Sequence, residues 1–321
     1  MFDSTNFIMK RRNFIKTAML FVASAQVFPN TILNLTLEVR NNFKHIYTNA
    51  KLKNQFFLFL KNVFNLYPEN EFHELISKNT IAKNTDKEIY LATQSQLDDI
   101  TPMLSTFRYQ LPALMHQKNE MSIETVSLLG EGSSYDGYLE IGSSGRYLDY
   151  LEEKVSIKGK RYYADGRKPK YSFSEMVDRG QIAVGAEYIP FANYNTKFAE
   201  HVPKKSLDLV TIYIGFHHCP IELRTQYISS IRDTLRVGGK MILRDHNCDT
   251  EDQKVLVALA HDVFNLGVNE TWEYNAKEVR NFYSLAFIIA FIENIGFKFE
   301  KKTLYQKGDP TKNALMLFTK I

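Results

Sequence analysis

The segment Asp136-Gly-Tyr-Leu-Glu-Ile-Gly-Ser-Ser-Gly-Arg-Tyr147 determines which architecture the sequence predicts. Its first half is rich in aromatic and branched side chains, which favour a buried β-strand. Gly142 and Gly145 allow a tight turn in which the backbone can approach a ligand closely. Apolar residues then recur at helical spacing from Arg146 to Val155. The segment therefore predicts a strand, a glycine turn and a helix, the arrangement that binds nucleotide-like ligands at the start of many α/β sheets.

The residue at the end of the predicted strand, Glu140, distinguishes between classes of ligand. The fingerprint of NAD- and FAD-binding proteins has glycine at this position, in the order G-x-G-x-x-G. A carboxylate suits an ammonium group and would repel a pyrophosphate. Followed by Gly142, Glu140 resembles the acidic residue of motif I in the class I S-adenosylmethionine-dependent methyltransferases, where it faces the ammonium end of the methionine moiety. The family usually has glycine at the position of Ser144 and again near Arg146, so the chain departs from the motif there.

Two later segments strengthen the resemblance. Residues Ser206 to Gly215 form the clearest buried strand and precede Phe216-His-His-Cys-Pro220, which resembles the loop that faces the transferred methyl group in the family. A predicted helix from Leu223 to Leu235 then leads into an apolar strand through Leu235-Arg-Val-Gly-Gly239. A helix that ends in Leu-Arg-x-Gly-Gly is among the most specific features of the family. We expect the two glycines to stop the helix and turn the chain back into the sheet.

The chain ends with two alternating strands, Phe297 to Gln306 and Ala314 to Thr319, which predict an antiparallel hairpin after five β/α units. Such a hairpin is expected of class I methyltransferases and not of the nicotinamide-binding fold. The predicted fold class is therefore α/β: a Rossmann-like class I methyltransferase sheet of seven strands, with the last hairpin antiparallel and an added helical N-terminal region. We expect the methyltransferase-like domain at residues 131–321 and the helical region at residues 26–130.

The resemblance implies S-adenosyl-L-methionine as the cofactor and places its binding residues at the ends of the strands. Asp165 ends the second predicted strand, where an acid usually binds the ribose hydroxyls, although an aspartate before Gly166 also suits an ordinary turn. Glu187 is expected near the end of the third strand, within Ile182 to Phe191, beside the adenine amino group. The residues expected to bind the cofactor are Glu140, Gly142, Ser143, Ser144, Gly145, Asp165, Ala186, Glu187 and Ile214.

Methyl transfer mainly requires that the acceptor, the methyl carbon and the sulfur are aligned, and a base is needed where the acceptor loses a proton. Three histidines that follow the fourth and fifth strands are candidate bases, although each could instead pack or bind backbone. Three aromatic residues lie where the family places a lid over the acceptor, although structural packing is the simpler role. The candidate bases are His217, His218 and His246, and the candidate lid residues are Trp272, Tyr274 and Tyr283.

Cys219 and Cys248 are the only cysteines, and the strands that precede them are neighbours in this fold. With the three histidines they have the ligand types of a zinc site, and in an exported protein they could form a disulfide. The ligand spacing matches no known zinc module. Two buried thiols without a metal ion are therefore the favoured interpretation.

The N-terminus contains Lys10-Arg-Arg-Asn-Phe-Ile-Lys16, then a short apolar run and Ala23-Ser-Ala25. Paired arginines, an apolar run and a small-x-small site resemble a twin-arginine export signal over residues 1–25. A basic amphipathic first helix is the alternative, and the cytoplasmic supply of the cofactor favours it. The apolar run is too short to span a membrane. The location is therefore open between cytoplasm and periplasm.

Composition limits the classes of partner. The net charge is +4, and no basic stripe interleaved with aromatic residues indicates nucleic acid binding. We expect a small-molecule acceptor, and N-terminal helices that cover the substrate side or form a homodimer. A non-catalytic binding protein that keeps the fold is one alternative, favoured by the altered glycine pattern and the export signal. A nicotinamide-dependent oxidoreductase is another, disfavoured by Glu140 and the terminal hairpin.

Overall fold

A mixed β-sheet forms the centre of the molecule. The computed structural model describes residues 41–101, 111–143, 145–168 and 185–321. The predicted export signal at residues 1–25 and Ser144 lie outside the described residues. Within these ranges the strands are β1 (Ser134–Ile141), β2 (Ser156–Asp165), β3 (Glu187–Pro190), β4 (Leu207–Ile212), β5 (Leu235–His246), β6 (Phe297–Tyr305) and β7 (Asn313–Lys320).

The strands follow the order β3-β2-β1-β4-β5-β7-β6. The first five strands pair in parallel, whereas β7 pairs antiparallel with both β5 and β6. This order confirms the predicted Rossmann-like sheet of seven strands with an antiparallel last hairpin. The chain extends the sheet from β1 to β3 and then returns to add β4 on the other side of β1. The topological switch point therefore lies between β1 and β4, and ligands of open α/β sheets bind outside the carboxyl ends of the strands at such a point.

Helices cover the sheet and make up the described part of the N-terminal region, as the sequence predicts. A single π-helical turn, Leu60–Phe64, continues the second helix. No helix of the described residues is long and apolar enough to cross a membrane. The α-helices in these ranges are α1 (Asn42–Thr48), α2 (Ala50–Phe59), α3 (Glu69–Ala82), α4 (Asp86–Ser95), α5 (Leu111–Leu129), α6 (Leu148–Glu152), α7 (Arg224–Thr234), α8 (Glu251–Gly267), α9 (Trp272–Lys277) and α10 (Leu285–Glu293).

The two faces of the sheet bury different side chains because successive residues of a strand point in opposite directions. Leu139 and Ile141 of β1 belong to the apolar cluster that includes residues of α7 and α10. Tyr138 belongs to a second cluster with residues of α6. Glu140 alternates with these neighbours and therefore lies on the same face as Tyr138.

The N-terminal helices α1 to α4 pack mainly against α8 and not against the strands. Phe43, Phe56 and Tyr90 share one buried cluster with Leu256 and Val263 of α8. A buried hydrogen bond adds to this contact, because the Tyr67 hydroxyl donates to the carbonyl of Gly267 at 2.7 Å. The N-terminal region is therefore attached to the rest of the molecule mainly through α8.

The glycine pair after α7 has a different role from the one predicted. The helix ends at Thr234, and Gly238 and Gly239 lie inside β5, where the pairing register with β4 shifts. Gly238 has φ +83°, a left-handed conformation that favours glycine at such an irregularity. The prediction that the pair stops the helix is therefore wrong, and the pair instead forms a bulge at the start of β5.

Two predicted helices are shorter in the structure. The helix expected from Arg146 to Val155 is reduced to α6. The helix expected from Ala276 to Ile295 is interrupted between α9 and α10. Ser284 begins the second part as an N-cap, because its hydroxyl accepts a hydrogen bond from the amide of Phe287. The intervening residues 278–283 run along the histidine-containing edge of the sheet described below.

Candidate functional site

Glu140 is completely buried at the switch point. Its carboxyl group accepts hydrogen bonds from the hydroxyl of Tyr138 (3.2 Å), the hydroxyl of Ser143 and the amide of Tyr147 (3.5 Å). Burial raises the pKa of Glu140 to about 8, and hydrogen bonds to the carboxylate oppose only part of this rise. A carboxyl group with this pKa is mostly protonated at neutral pH, and a cation placed beside it would favour its ionisation.

The turn after β1 brings most of the predicted cofactor residues together. Gly142 and Gly145 adopt left-handed conformations, with φ +79° and +74°. The Gly142 amide donates to the carbonyl of Ala164 in β2 at 3.0 Å, which ties the turn to the neighbouring strand. Gly142 also packs directly against Ile214, two residues beyond β4. The hydroxyl of Ser143 accepts a hydrogen bond from the Gly145 amide at 3.2 Å, so the turn forms one connected unit with Glu140.

Asp165 and Glu187 lie at different distances from the carboxyl edge of the sheet. Asp165 ends β2 at the carboxyl edge, and its Oδ1 accepts a hydrogen bond from the Gly166 amide at 2.7 Å. Glu187 begins β3 and pairs with Tyr162, three residues before Asp165. This register places Glu187 about 10 Å below the carboxyl edge. The prediction that Glu187 lies near the end of its strand is therefore wrong, and Ala186 lies one residue further from that edge.

Four histidines form a group beside the carboxyl ends of β4 and β5. His217 and His218 lie in the short helical turn Phe216–His218 after β4, and His246 ends β5. The ring centroid of His217 lies 4.1 Å from that of His218 and 5.4 Å from that of His246. His261 of α8 completes the group, 5.0 Å from both His217 and His218. The three predicted histidines are therefore close together, with a fourth that the sequence did not identify.

One ring nitrogen of each predicted histidine is engaged by an acceptor oxygen. Backbone carbonyls only accept hydrogen bonds, so the tautomers of His218 and His246 follow from their partners, with hydrogen on Nδ1. Asp245 also accepts the backbone amides of His217 (2.9 Å) and His246 (2.7 Å), a pattern that suits an ionised carboxylate. The ring pairs are His217 Nδ1 with Asp245 Oδ1 (2.6 Å), His218 Nδ1 with the Val279 carbonyl (2.9 Å) and His246 Nδ1 with the Thr311 carbonyl (3.0 Å).

The electrostatics of the group favour neutral imidazoles. Burial lowers the pKa of His217 and His246 well below the usual value for histidine, and it lowers the pKa of His218 to about 4. The other histidines of the group contribute to the shift, because a second positive charge nearby is unfavourable. At neutral pH these side chains therefore offer lone pairs, which can accept a proton or bind a metal ion.

A cavity of about 100 Å³ opens beside the histidines. Its polar wall includes all four histidines together with Arg244 and Asp245. Its apolar wall comes partly from the N-terminal region, through Phe59, Val63 and Phe64 in and next to the π-helical turn. The N-terminal helices therefore cover this edge of the sheet.

A buried polar network holds one side of the histidine group. Arg280 donates hydrogen bonds to Asp262 (2.7 Å), Glu278 (2.8 Å) and the side-chain carbonyl of Asn275 (2.7 Å). The two carboxylates compensate the buried guanidinium. Because of this network, Glu278 lies 3.8 Å from Nδ1 of His261, and its other oxygen lies 3.8 Å from Nδ1 of His218.

The three aromatic residues predicted to form a lid do not form one surface. Trp272 packs edge-on against Tyr90 of α4, with 5.4 Å between ring centroids, so it belongs to the N-terminal cluster. The Tyr274 amide donates to the Thr271 hydroxyl in the first turn of α9. Tyr283 stacks on Phe287 at 4.6 Å, away from Trp272. Their role as acceptor-binding residues stays a prediction.

Cys219 and Cys248 are buried free thiols, so the alternative of a disulfide is wrong for this structure. Burial raises the pKa of each thiol to about 12. Among the described residues, the group of three side chains that can hold a metal ion consists of His217, His218 and His261, without either cysteine. The alternative of a zinc site made of cysteines and histidines is therefore not assembled among the described residues.

The residues that the sequence interpretation missed are His261, Glu278 and Arg280. His261 was visible as a polar residue in the helix Asp252 to Leu266, four residues after Val257 and three before Phe264, and therefore on an apolar side of that helix. Glu278 and Arg280 fall in a stretch that the apolar periodicity assigned to a helix, so nothing in the sequence indicated that they converge on His261.

No protein-family model matches the chain, and no curated protein matches its sequence. Among solved structures, Burkholderia thailandensis 1,6-didemethyltoxoflavin-N1-methyltransferase with bound 1,6-didemethyltoxoflavin and S-adenosylhomocysteine is 12% identical, with 74% of this chain and 92% of that chain covered and a TM-score of 0.43. A SAM-dependent methyltransferase from Aquifex aeolicus is 12% identical over 71% of this chain and 98% of that chain, with a TM-score of 0.42. One from Archaeoglobus fulgidus is 12% identical over 63% and 92%, with a TM-score of 0.41.

Proposed function

We propose that the chain binds S-adenosyl-L-methionine and transfers its methyl group to a small-molecule acceptor. The observation that carries the proposal is the position of β7, which runs antiparallel between β5 and β6 after five parallel strands. The class I methyltransferases that the sequence resembles have this arrangement, whereas the nicotinamide-binding fold does not. The strand order therefore favours a methyl donor over a dinucleotide.

The carboxyl groups near the switch point suit the positively charged and hydroxyl-bearing parts of such a cofactor. Glu140 supplies a carboxyl group where the ammonium of the methionine moiety would be bound, and Asp165 supplies a second at the end of β2, the position that suits ribose hydroxyls. A pyrophosphate would instead prefer backbone amides without a carboxylate among them. Gly142 and Gly145 add no side chain at either end of the turn, so the backbone can approach a ligand there. Glu187 lies too far from the edge to take part in this proposal.

When bound, the cofactor supplies a methyl group that its sulfonium has already activated for displacement. The chain orients the acceptor and, where the acceptor is a hydroxyl, thiol or amine, removes its proton. His246 is the candidate base, because Nδ1 donates to the Thr311 carbonyl at 3.0 Å and Nε2 keeps its lone pair. The side chain lines the cavity, which is where a small acceptor would enter.

Thermal unfolding with S-adenosylmethionine, S-adenosylhomocysteine and NAD tests the cofactor. A ligand at 100 times its Kd stabilises the folded protein by about 2.7 kcal/mol. We expect the first two ligands to raise the midpoint and NAD to leave it unchanged. Glu140→Gln should reduce the shift, whereas the matched exposed variant Glu187→Gln should preserve it. A shift with NAD alone would reject the proposal.

The complete burial of Glu140 also favours a second candidate, a non-catalytic protein that has kept the fold. The carboxyl group is already enclosed by Tyr138, Ser143 and Tyr147, so a ligand must displace part of this enclosure to reach it. The same unfolding experiment separates the two candidates. The absence of any shift with all three ligands would favour the non-catalytic protein.

Export and self-association are the finer parts of this proposal. Cleavage of a twin-arginine signal would remove residues 1–25, and the intact mass of protein recovered from the periplasm tests it.

A homodimer through the N-terminal helices would use their outer faces, where Ile81 and Leu91 are exposed, because the inner faces pack on α8. Sedimentation velocity of the wild type and of Ile81→Ser tests this arrangement.

A further inference from the structure

The tautomers of His217 and His218 are fixed by their hydrogen-bond partners. The carbonyl of Val279 can only accept, so the Nδ1 of His218, 2.9 Å away, carries the hydrogen. Burial raises the pKa of Asp245, but the two backbone amides that donate to it favour the ionised carboxylate. With Asp245 ionised, the Nδ1 of His217, 2.6 Å away, also carries a hydrogen. In the neutral side chains both Nε2 atoms therefore present lone pairs.

These two lone pairs face each other, because the Nε2 atoms of His217 and His218 are 3.0 Å apart. Two acceptors at this distance repel unless a cation lies between them. Nitrogen ligands of a tetrahedral zinc ion, each 2.0–2.1 Å from the metal, lie about 3.3 Å from one another. The observed separation is close to that value, so a metal ion would turn the repulsion into two favourable bonds.

A third ligand and a carboxylate oxygen without a hydrogen-bond partner lie beside this pair. One ring nitrogen of His261 lies within 4.8 Å of the ligand nitrogens of His217 and His218. Its buried Nδ1 has no hydrogen-bond partner among the described residues, and neither has Oε1 of Glu278. A buried polar atom without a partner requires an explanation, and a bound ion is one that also accounts for the facing Nε2 atoms.

We propose that His217, His218 and His261 bind a divalent transition-metal ion of the zinc type. The Asp245 carboxylate and the Val279 carbonyl hold two of the rings by Nδ1, as acceptors commonly do for metal-binding histidines. Glu278 supplies negative charge 3.8 Å from the ring atoms. Three protein ligands leave a position open toward the cavity, which is the pattern of a metal site that also binds water or a ligand. The inference does not rest on the proposed methyl transfer, although the open position faces the cavity where the acceptor would enter.

Metal binding by the full-length chain tests the proposal. After removal of metal with a chelator, Zn²⁺ is titrated by calorimetry and Co²⁺ by visible absorption. We expect one equivalent of each, and the intense visible bands of four- or five-coordinate cobalt, which cobalt bound to surface histidines lacks. His261→Gln should weaken Zn²⁺ binding by at least about 100-fold, and Asp245→Asn, which changes a partner of His217 and not a metal ligand, by about 10–100-fold. The matched control His201→Gln changes an exposed histidine outside the group and should leave binding unchanged.

Two outcomes would overturn the proposal. If the metal-free protein takes up neither ion, the two Nε2 atoms share a proton only. If His261→Gln and His201→Gln bind Zn²⁺ equally well, the ion is bound elsewhere. The unfolding midpoints of the metal-free variants show whether each one is folded. Should His261→Gln prove unfolded, the cobalt spectrum of the wild type decides the question alone, because six-coordinate bands would contradict a site of three histidines with one open position.

Discussion

Gly142 approaches Ile214 so closely that a Cβ atom added to the glycine would lie 2.3 Å from the Cβ of Ile214. This contact joins the turn after β1 to the end of β4 across the switch point. It explains why the sequence has glycine here, since both the φ of +79° and the contact exclude a side chain. The same turn helps to keep the carboxyl group of Glu140 buried, because Ser143 and Tyr147 donate hydrogen bonds to it.

We expect Gly142→Ala to destabilise the protein more than a matched change at Gly132. Gly132 also has a positive φ, +77°, but nothing lies within 4 Å of its missing Cβ. Both variants carry the cost of a left-handed alanine, about 1–2 kcal/mol. Gly142→Ala adds overpacking of about 1–3 kcal/mol. Urea denaturation measures both, and equal losses would show that the contact with Ile214 can relax.

We expect the affinity for S-adenosylmethionine to depend on pH through Glu140. Its pKa is raised to about 8 in the free protein, so below pH 8 the carboxyl group must lose a proton before it can pair with an ammonium. The affinity should therefore rise by about tenfold per pH unit up to pH 8 and then level off. Calorimetry at pH 7 in two buffers of different ionisation enthalpy should show one proton released per cofactor bound.

Glu140→Gln serves as the control for this pH dependence. The variant cannot ionise, so any slope that remains belongs to the amino group of the ligand, which both proteins share. The difference between the two slopes isolates Glu140. Equal slopes in the two proteins, with no proton released by the wild type, would contradict a contact between the carboxylate and the ammonium.

The strands were predictable from local patterns, whereas their arrangement in one sheet followed from the resemblance to class I methyltransferases. Apolar strands such as Leu207–Ile212 are bounded by turns, and Phe297-Lys-Phe-Glu300 alternates apolar and charged residues. The predicted alternation does not extend to β7, which is buried along nearly its whole length. Boundaries were less predictable. The Gly238-Gly239 pair is compatible with a helix end or with a bulge, and only its pairing with β4 distinguishes the two.

The candidate site was predictable only for those residues that lie at the carboxyl ends of strands. His217, His218 and His246 follow adjacent strands, so topology alone brings them together. His261 comes from a helix whose rotation is set by packing against the N-terminal region, and no local pattern encodes that rotation. The position of Glu187 was predicted wrongly for a related reason. The strand β3 has only four residues, and its first and last residues become known only from its pairing with β2.

We expect Arg280→Gln to be strongly destabilising. The guanidinium is buried between Asp262 and Glu278, and removal of one member of such a group leaves buried charge without compensation, at a cost of about 3–5 kcal/mol. Arg236→Gln is the matched control, because Arg236 pairs with Asp136 and Asp208 at the surface, where a pair contributes less than about 1 kcal/mol. Urea denaturation should separate the two variants clearly, and similar midpoints would contradict the importance of the buried network.

We expect both thiols to be unreactive in the folded protein. Cys219 and Cys248 are buried, and a pKa of about 12 reduces the thiolate fraction at pH 8 by about a thousandfold relative to a free cysteine. Iodoacetamide at pH 8 without reductant should therefore add no groups to the native protein and two groups in urea, as measured by intact mass. A protein that gains none in urea would contain a disulfide. Added Zn²⁺ should leave the number of groups added to the native protein at zero. We do not expect either cysteine to bind the ion, because a thiolate ligand requires the ionised form that burial here disfavours.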